Sequence, residues 1–563
     1  MLSYLSDVVD ASRTFGAPVV GTPAGTVVVR AADVVVRGGG RTVTAVGVVP
    51  SVGELAVFCR PMVTAPVVIG RDGRVRAEGW LPDFVRLGEL ERHLGDGVIE
   101  QVVAAAVEQG RLRERQRRRL MSYPLLVRLT IAMTLMPDAS YCEALARLVG
   151  LLTDIPFARQ WHVPTEKVIT DWRRLVPPGL LESLFWRAAG PLVSEDGPGA
   201  VRLAGMTVCA ADGMLVNLAD TPANRAAFAS TGTGDGSGPF PQLRIVGLAA
   251  RAGRAMLGAI LGSTRAGEQT LLRRLVARRP DLVTGRVVCF DRNFPGYDLI
   301  TAILDAGGHV VARVKAGIAL PTQPDGWLPE GSRMTWLNAP SGRKADRLPV
   351  RATEHNAVLP GGDGEKDGEV SDTCTLITTL LDHQAAPADA VRATYLTRWS
   401  TSETTFGEDK ATITGAGDRT SGPVLRSGSP RLVIAEAWAW LTATQLVRAS
   451  AAAALHSPTA AARALHRTDN ARVTADEQSF TAVWRHAIRA MVSSQVTASS
   501  SLAAVAAAAE DAARAALHTL NIPGRHRHSP RAQKARPKFR HTTTTKTTTT
   551  GTPHVTIFAP GTS

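Results

Sequence analysis

The sequence predicts an α/β fold: a mixed-sheet core with a β-rich insertion, preceded by a helical domain. Three observations predict it. Residues 84–196 carry apolar residues at three-to-four spacing, the period of amphipathic helices. From about 205 the texture becomes short apolar runs alternating with helical stretches, the order of a mixed α/β core. Between 316 and 385 proline, glycine and tryptophan interrupt that alternation, and short strand-like runs follow.

Residues 1–80 are rich in valine and glycine, with alternating runs such as GTVVVRAADVVVRGG. They read as a small β module or a poorly ordered segment, with no chemistry of their own. In 84–196 the stretches FVRLGELERHL, DGVIEQVVAAAVEQ and YPLLVRLTIAMTLM are helical. Between the last two lies RLRERQRRRL, whose Arg117, Arg118 and Arg119 form either a solvated helix face or a phosphate-contacting patch. In 205–455 MTVCAAD, MLVNLA, QLRIVGLAA and AMLGAILGS read as strands. GEQTLLRRLVARR then reads as a helix, GRVVCFD as a strand, GYDLITAILDAG as a helix and HVVARVKAG as a strand. Beyond the insertion PADAVRATYLTRW and RLVIAEAWAWLTATQLVRASAAAAL are helical. A C-terminal helical region spans 456–522, and the basic, threonine-rich tail at 523–563 has the composition of disorder.

With 563 residues, 44% hydrophobic and 20% charged, the chain is long enough for several domains and a sizeable core. A net charge of +14 favours a polyanionic partner without naming it. The five cysteines are widely spaced and form no C-x-x-C pair, which fits a reducing cytosol and excludes a disulfide framework or zinc site. Cys209 and Cys289 sit in apolar runs, as small core residues do. The N-terminus lacks the order of a signal peptide, and no apolar run is long enough to span a bilayer.

Two runs end alike. MTVCAAD finishes at Asp212 and RVVCFD at Asp291, so each sets a carboxylate at the C-terminal edge of a buried strand, where α/β sheets place their sites. Two close carboxylates repel unless protonated or bridged by a cation. A hard divalent ion with oxygen ligands is the natural bridge, and a metal pair there can process a phosphodiester. The plainer alternatives make Asp212-Gly213 a turn and Asp291 a helix cap. A third acid comes from YLTRWSTSETTFGEDK. The segment reads as a helix, on which Tyr395, Trp399, Glu403, Phe406 and Lys410 share a face. A carboxylate on such an apolar face is costly unless paired or bound to metal. Glu408, about 140° round from Glu403, is expected to face solvent. Arg398 lies on the adjoining stripe, where it can hold a phosphate.

These residues resemble the DDE transposases of the insertion-sequence-four type over about residues 84–455. The family carries Ala-Asp-Gly at its first aspartate, as at 211–213. An apolar strand ends in Asp-Arg-x-Phe at its second, as at 291–294, and a helix comes later with tyrosine, arginine, glutamate and lysine in order. The resemblance implies a ribonuclease-H-like core and metal-binding roles for Asp212, Asp291 and Glu403. It implies two magnesium or manganese ions, and DNA contacts by Tyr395, Arg398 and Lys410. One departure stands out: four residues separate Arg398 from Glu403 where the family has three, Ser402 filling the usual acid position. In some relatives tryptophans of the insertion help hold a flipped base, which nominates Trp327 and Trp336 beside the simpler reading as core aromatics.

The implied activity is metal-dependent strand cleavage and strand transfer at the ends of an insertion element. Its partners are terminal inverted repeats and target DNA, handled by two or more protomers in a cytoplasmic setting. The family's helical domain overlaps 84–196, which favours DNA contact for the arginine run. Two rivals remain on the sequence: a catalytically inactive DNA-binding relic, favoured by Ser402, and a metal-dependent nuclease without strand transfer.

Overall fold

The computed structural model describes residues 85–113, 121–150, 161–189, 200–230, 240–250, 254–315, 318, 320–340, 342–343, 346–358, 370–398, 401–402, 404–413, 424–457, 459–460, 473, 477–493, 502–518 and 520, with further strands at 19–21, 27–35, 42–46, 67–69, 75–77 and 554–556. The chain divides into two units, Met1–Ala65 and Pro66–Ser563. In the first, β1 (Val19–Gly21), β2 (Val27–Val35) and β3 (Thr42–Val46) form an antiparallel sheet in that order. The second opens with the antiparallel pair β4 (Val67–Ile69) and β5 (Val75–Ala77).

Helices come next: α1 (Glu89–Arg92), α2 (Val98–Glu108), α3 (Tyr123–Leu135), α4 (Tyr141–Val149), α5 (Glu166–Arg173) and α6 (Pro178–Ala189). Local chemistry starts two of them. The Ser122 and Ser140 side chains accept the N–H groups of Leu125 and Glu143, satisfying donors that a helix start otherwise leaves open. Arg128 is fully buried in α3, and Glu91 and Glu100 bond its guanidinium. Removing either acid would leave a buried charge short of partners.

The sheet begins with β6 (Arg202–Leu203) and β7 (Met206–Leu218). After α7 (Pro222–Phe228) come β8 (Gln242–Ala250), β9 (Met256–Ser263), α8 (Glu268–Arg278), β10 (Arg286–Phe290), α9 (Tyr297–Asp305) and β11 (His309–Arg313). The insertion adds β12 (Arg333–Leu337), β13 (Leu348–Val358) and β14 (Val370–Thr378). The chain continues through α10 (Ala388–Leu396), α11 (Thr404–Ile413), β15 (Val424–Leu425), α12 (Pro430–Ala454), α13 (Phe480–Ser493), α14 (Leu502–His518) and β16 (His554–Thr556).

Among the described residues the main path of the sheet runs β12-β13-β14-β11-β10-β7-β8-β9. β7, β8 and β9 are an antiparallel meander, and β10 and β11 lie parallel to β7 on its other side. This is a mixed sheet in a mixed α/β core, with the helices first and the sheet after them, as the sequence predicts. The insertion does not interrupt the sheet but extends it, with β14 antiparallel to β11. Buried Arg351 on β13 ties the extension to the loop that leads into α10, donating to the carbonyls of Leu380 and Ala386 and to Glu330. Part of the tail read as disordered is a strand: β16 pairs antiparallel with β13.

Each face of the sheet has its own cover. Leu271 and Leu275 of α8 and Ile300 and Ile303 of α9 pack with Val288 and Phe290 on one face. Val391 and Tyr395 of α10 pack with Val208, Val287 and Cys289 on the other. The second half of β7 leaves that core and joins the helical one, where Met214 and Val216 meet Leu129 of α3 and Trp440 of α12. The 25-residue α12 is buried almost all round, so it serves as the spine of the helical layer. No described helix is long and apolar enough to cross a membrane.

Candidate active site

β7 and β10 set the two aspartates. Their parallel register pairs Val288 with Cys209 and Cys289 with Ala210, and two residues further on it brings Asp291 level with Asp212. Adjacent strands lie about 4.8 Å apart, so the two aspartates follow the last paired residues of neighbouring strands. Side chains alternate along a strand, and Ala210 and Cys289 share the α10 face, so Asp212 and Asp291 fall on that face too. The expected position of Asp212 needs correcting. β7 does not end there but runs on to Leu218, merging MTVCAAD and MLVNLA into one strand, with Asp212 paired to Gly247 of β8. It is β10 that ends, at Phe290. β15 then pairs with β7 from Asn217. The site therefore opens in the stretch of β7 between its contacts with β10 and β15.

Neither of the plainer alternatives holds in full. Gly213 is in extended strand, and its N–H bonds Asp212 Oδ1 at 2.8 Å. Asp291 caps no helix, since α9 starts after Gly296; its Oδ1 accepts the Asn293 N–H at 2.8 Å in an Asx turn that fixes the carboxylate at the strand end. Cys209 and Cys289 are fully buried beside the aspartates, and burial pushes the Cys209 thiol up to about 12.

The helical segment departs from the expected single face. Thr401 and Ser402 form a π-helical turn between α10 and α11. Both are buried. The Thr401, Ser402 and Thr405 hydroxyls bond the carbonyls of Thr397, Arg398 and Thr401, at 2.8, 3.4 and 2.6 Å. A π turn holds one residue more than an α turn and shifts the phase of the helix beyond it. Tyr395 and Phe406 accordingly enter different cores, Tyr395 under the sheet and Phe406 in the helical layer. The Phe406 ring lies over β8, 3.2 Å from where a Cβ on Gly247 would sit, at the level of Asp212. Arg398 is buried, its guanidinium 5.5 Å from the centre of the Tyr395 ring. Glu403 and Trp399 lie outside the described residues, as do Arg117, Arg118 and Arg119.

Glu408 does not face solvent. It pairs with Arg254, and its neighbour Asp409 is fully buried against Arg448 at 2.5 Å. Burial raises both carboxyls above their ordinary values, and the arginines oppose that rise. Of the two insertion tryptophans, Trp327 is 43% exposed under Arg333, contrary to a core role, and Trp336 lies under Arg347.

One acid at the site was missed on the sequence. Glu268, the first residue of α8, packs over Gly213: its Oε1 lies 2.6 Å from where a Cβ there would be. Any larger residue at 213 must displace it. Arg244 of β8 is 3.5 Å away. Burial raises the Glu268 carboxyl, Arg244 lowers it, Asp291 raises it and Lys410 lowers it, so Lys410 comes within electrostatic reach of this end of the sheet. Glu268 looked like an ordinary helix-start acid. Its one local signal was the bare glycine after Asp212, whose reason is a tertiary approach. Among the described residues no three histidine, cysteine, aspartate or glutamate side chains form a metal-binding group.

Two sequence comparisons bear on this arrangement. The model of the insertion element 4 transposase N-terminal domain matches residues 84–186. Transposase InsG of insertion sequence element IS4, from Escherichia coli (strain K12), is 26% identical over 245 residues. The chain is similar to insertion element 4 transposases over these stretches. The match to InsG covers 43% of this chain and about half of that protein, 52% of its length. Among solved structures, the piggyBac transposase synaptic complex with hairpin DNA aligns at a TM-score of 0.36 and 9% identity, over 72% of this chain and 80% of that one. The insertion element 4 match falls on α1 to α6, the helical layer whose core β7 enters beyond Asp212.

Proposed function

We propose that the chain is a DNA transposase that cuts strands at the ends of an insertion element and joins them to a target. Asp212, Asp291 and Glu403 are its metal-holding acids. The observation that supports this reading is the parallel register of β7 and β10, whose last pair, Ala210 with Cys289, comes two residues before Asp212 and Asp291. Two carboxylates so placed repel, and an all-oxygen donor set suits a hard divalent ion. Two magnesium or manganese ions bound there supply activation of a water or 3′-hydroxyl and stabilise the leaving oxygen.

The π turn supports Glu403 as the third acid. An α-helical residue advances the chain by about 100°. A residue added inside a π turn widens that turn instead, so the extra residue between Arg398 and Glu403 need not carry the acid round the helix. Lys410 and Arg398 supply positive charge for a scissile phosphate, and the Tyr395 ring supports the Arg398 guanidinium. Arg117, Arg118 and Arg119, with the chain's net charge of +14, grip the DNA backbone. Joining two element ends calls for at least two protomers.

The test uses the full chain, magnesium or manganese, and a plasmid carrying the inverted repeats that bracket its coding sequence. Cleavage and joining are expected, and chelation with EDTA should stop both. Asp212→Asn, Asp291→Asn and Glu403→Gln should each be inactive yet still shift the DNA in a gel. DNA binding without cleavage by the unaltered chain supports the relic; cleavage without joining supports the nuclease. Activity in Glu403→Gln moves the third acid elsewhere.

A further inference from the structure

Asp291 is held by a chain of contacts that starts on α8. Asn293, two residues on, binds both oxygens of its carboxylate: the backbone N–H donates to Oδ1 at 2.8 Å and Nδ2 to Oδ2 at 3.4 Å. Asn293 is held in turn. Nε2 of Gln269, the second residue of α8, donates to the Asn293 carbonyl at 3.0 Å. The same side chain fills the place where a Cβ on Gly296 would sit, so the bare backbone ahead of α9 admits it. α8 is a firm base for this contact. Its Leu271, Leu272 and Leu275 are buried in the sheet core, and its Arg273 pairs with Asp298 of α9 at 2.9 Å. Beyond Asn293 the turn is pinned by Phe294, buried with its ring centre 5.8 Å from that of Phe290.

A carboxylate held at both oxygens has little freedom to rotate, and hydrogen bonds of this kind orient a metal ligand before the ion arrives. That restraint matters unequally to different ions. Magnesium demands near-ideal octahedral geometry, whereas calcium accepts a looser and more variable set of oxygens. We propose that Gln269 and Asn293 are positioning residues that fix the Asp291 carboxylate and so favour magnesium over calcium at the site. The inference rests on the metal-holding role of Asp291 and deepens it, naming the residues through which the fold selects the ion. Both lie outside the DDE set, and Asn293 fills the variable position of Asp-Arg-x-Phe.

Manganese bound to the full chain without DNA, followed by electron paramagnetic resonance and displaced by magnesium or by calcium, reads the two affinities apart from catalysis. Gln269 is exposed, so truncating it leaves the core intact. Gln269→Ala should weaken magnesium about tenfold, the lower end of the usual outer-sphere effect. Calcium should weaken by less than about twofold. Gln269→Glu keeps the shape but loses the N–H donor, and the ratio of the two affinities should fall as it does in Gln269→Ala. Gly296→Ala, which displaces the amide, should lower the ratio too, and should add little in the Gln269→Ala background. Equal weakening of both ions in Gln269→Ala would overturn the proposal, and so would an unchanged affinity for both. A ratio preserved in Gln269→Glu would also overturn it, showing that the side chain acts by filling space. If Asp291→Asn leaves manganese binding intact, the site reading itself fails; if Asp291→Asn abolishes binding while Gln269→Ala keeps the ratio, only the positioning role fails.

Discussion

The molecule has two clusters of buried or half-buried acids about one helix, α11, and they are built on opposite principles. In the first, Glu408 and Asp409 meet Arg254 and Arg448, acid for base, inside the packing of α11 against α12. In the second, Asp212, Asp291 and Glu268 gather at the end of β10. There the aspartates take backbone N–H donors, and Arg244 is the cation within ion-pair distance of Glu268. The first cluster joins two acids to two arginines inside the helical layer; the second gathers its acids about strand ends, with Arg244 3.5 Å from Glu268. Buried charge that is matched within the fold serves the fold.

Breaking a partner in the first cluster should therefore cost stability rather than chemistry. Arg448 is buried and bonds Asp409 at 2.5 Å and the Thr405 carbonyl at 3.0 Å, with its guanidinium 5.1 Å from the Phe480 ring centre. Arg448→Met should destabilise the protein by about 3–5 kcal/mol, the effect of stranding one member of a buried pair. Chemical unfolding measures it. Asp291→Asn, in the second cluster, should unfold at the same denaturant concentration as the unaltered protein, or a higher one, because it relieves repulsion. If Asp291→Asn destabilises as much as Arg448→Met, the two clusters do not differ in kind.

How much of this the sequence revealed divides along the same line. Strand pattern reads locally, so the two apolar runs at 206–212 and 286–291 sufficed to expect strands there, and β7 and β10 are neighbours in the sheet. The end of β7 could not be read. Gly213 fits a turn as well as a strand, and only β8, pairing as far as Asn217, decides between them. Helix phase was misread because the face arithmetic assumed 3.6 residues per turn straight through Thr401 and Ser402. Those hydroxyls accept a wider turn by bonding carbonyls one turn back, which propensity does not record. Glu268 escaped notice because its neighbours lie on β7, β8, β10 and α11, none of them adjacent in the chain.

The π turn sharpens the comparison, since it links the two clusters. Deleting Ser402 should convert it to an ordinary α turn while keeping the order of residues on α11. The first cluster should survive, with stability changed by less than about 2 kcal/mol, near the usual size for a single substitution. Cleavage should persist, because the deletion restores the three-residue gap between arginine and glutamate. Inserting an alanine beside Ser402 instead should abolish cleavage by carrying Glu403 a further 100° or so round the helix. Loss of cleavage in the deletion as well as the insertion would mean that the turn itself, rather than helix phase, is what the site needs.

The smallest expected effect falls at Gly213, and it probes the second cluster without removing any charge. A methyl group there would meet the Glu268 carboxylate at 2.6 Å, closer than such atoms approach. The obstacle is the far end of a flexible side chain, so Glu268 can swing away, and the stability cost of Gly213→Ala should be about 1 kcal/mol. Swinging away carries the carboxylate off Arg244. Gly213→Ala should therefore reproduce part of the stability loss of Glu268→Gln, read by chemical unfolding. Combined with Glu268→Gln it should add little, because the displaced group is already neutral. Additive losses in the double variant would show that the alanine disturbs Asp212 directly through the strand, and that the glycine serves the aspartate rather than the glutamate behind it.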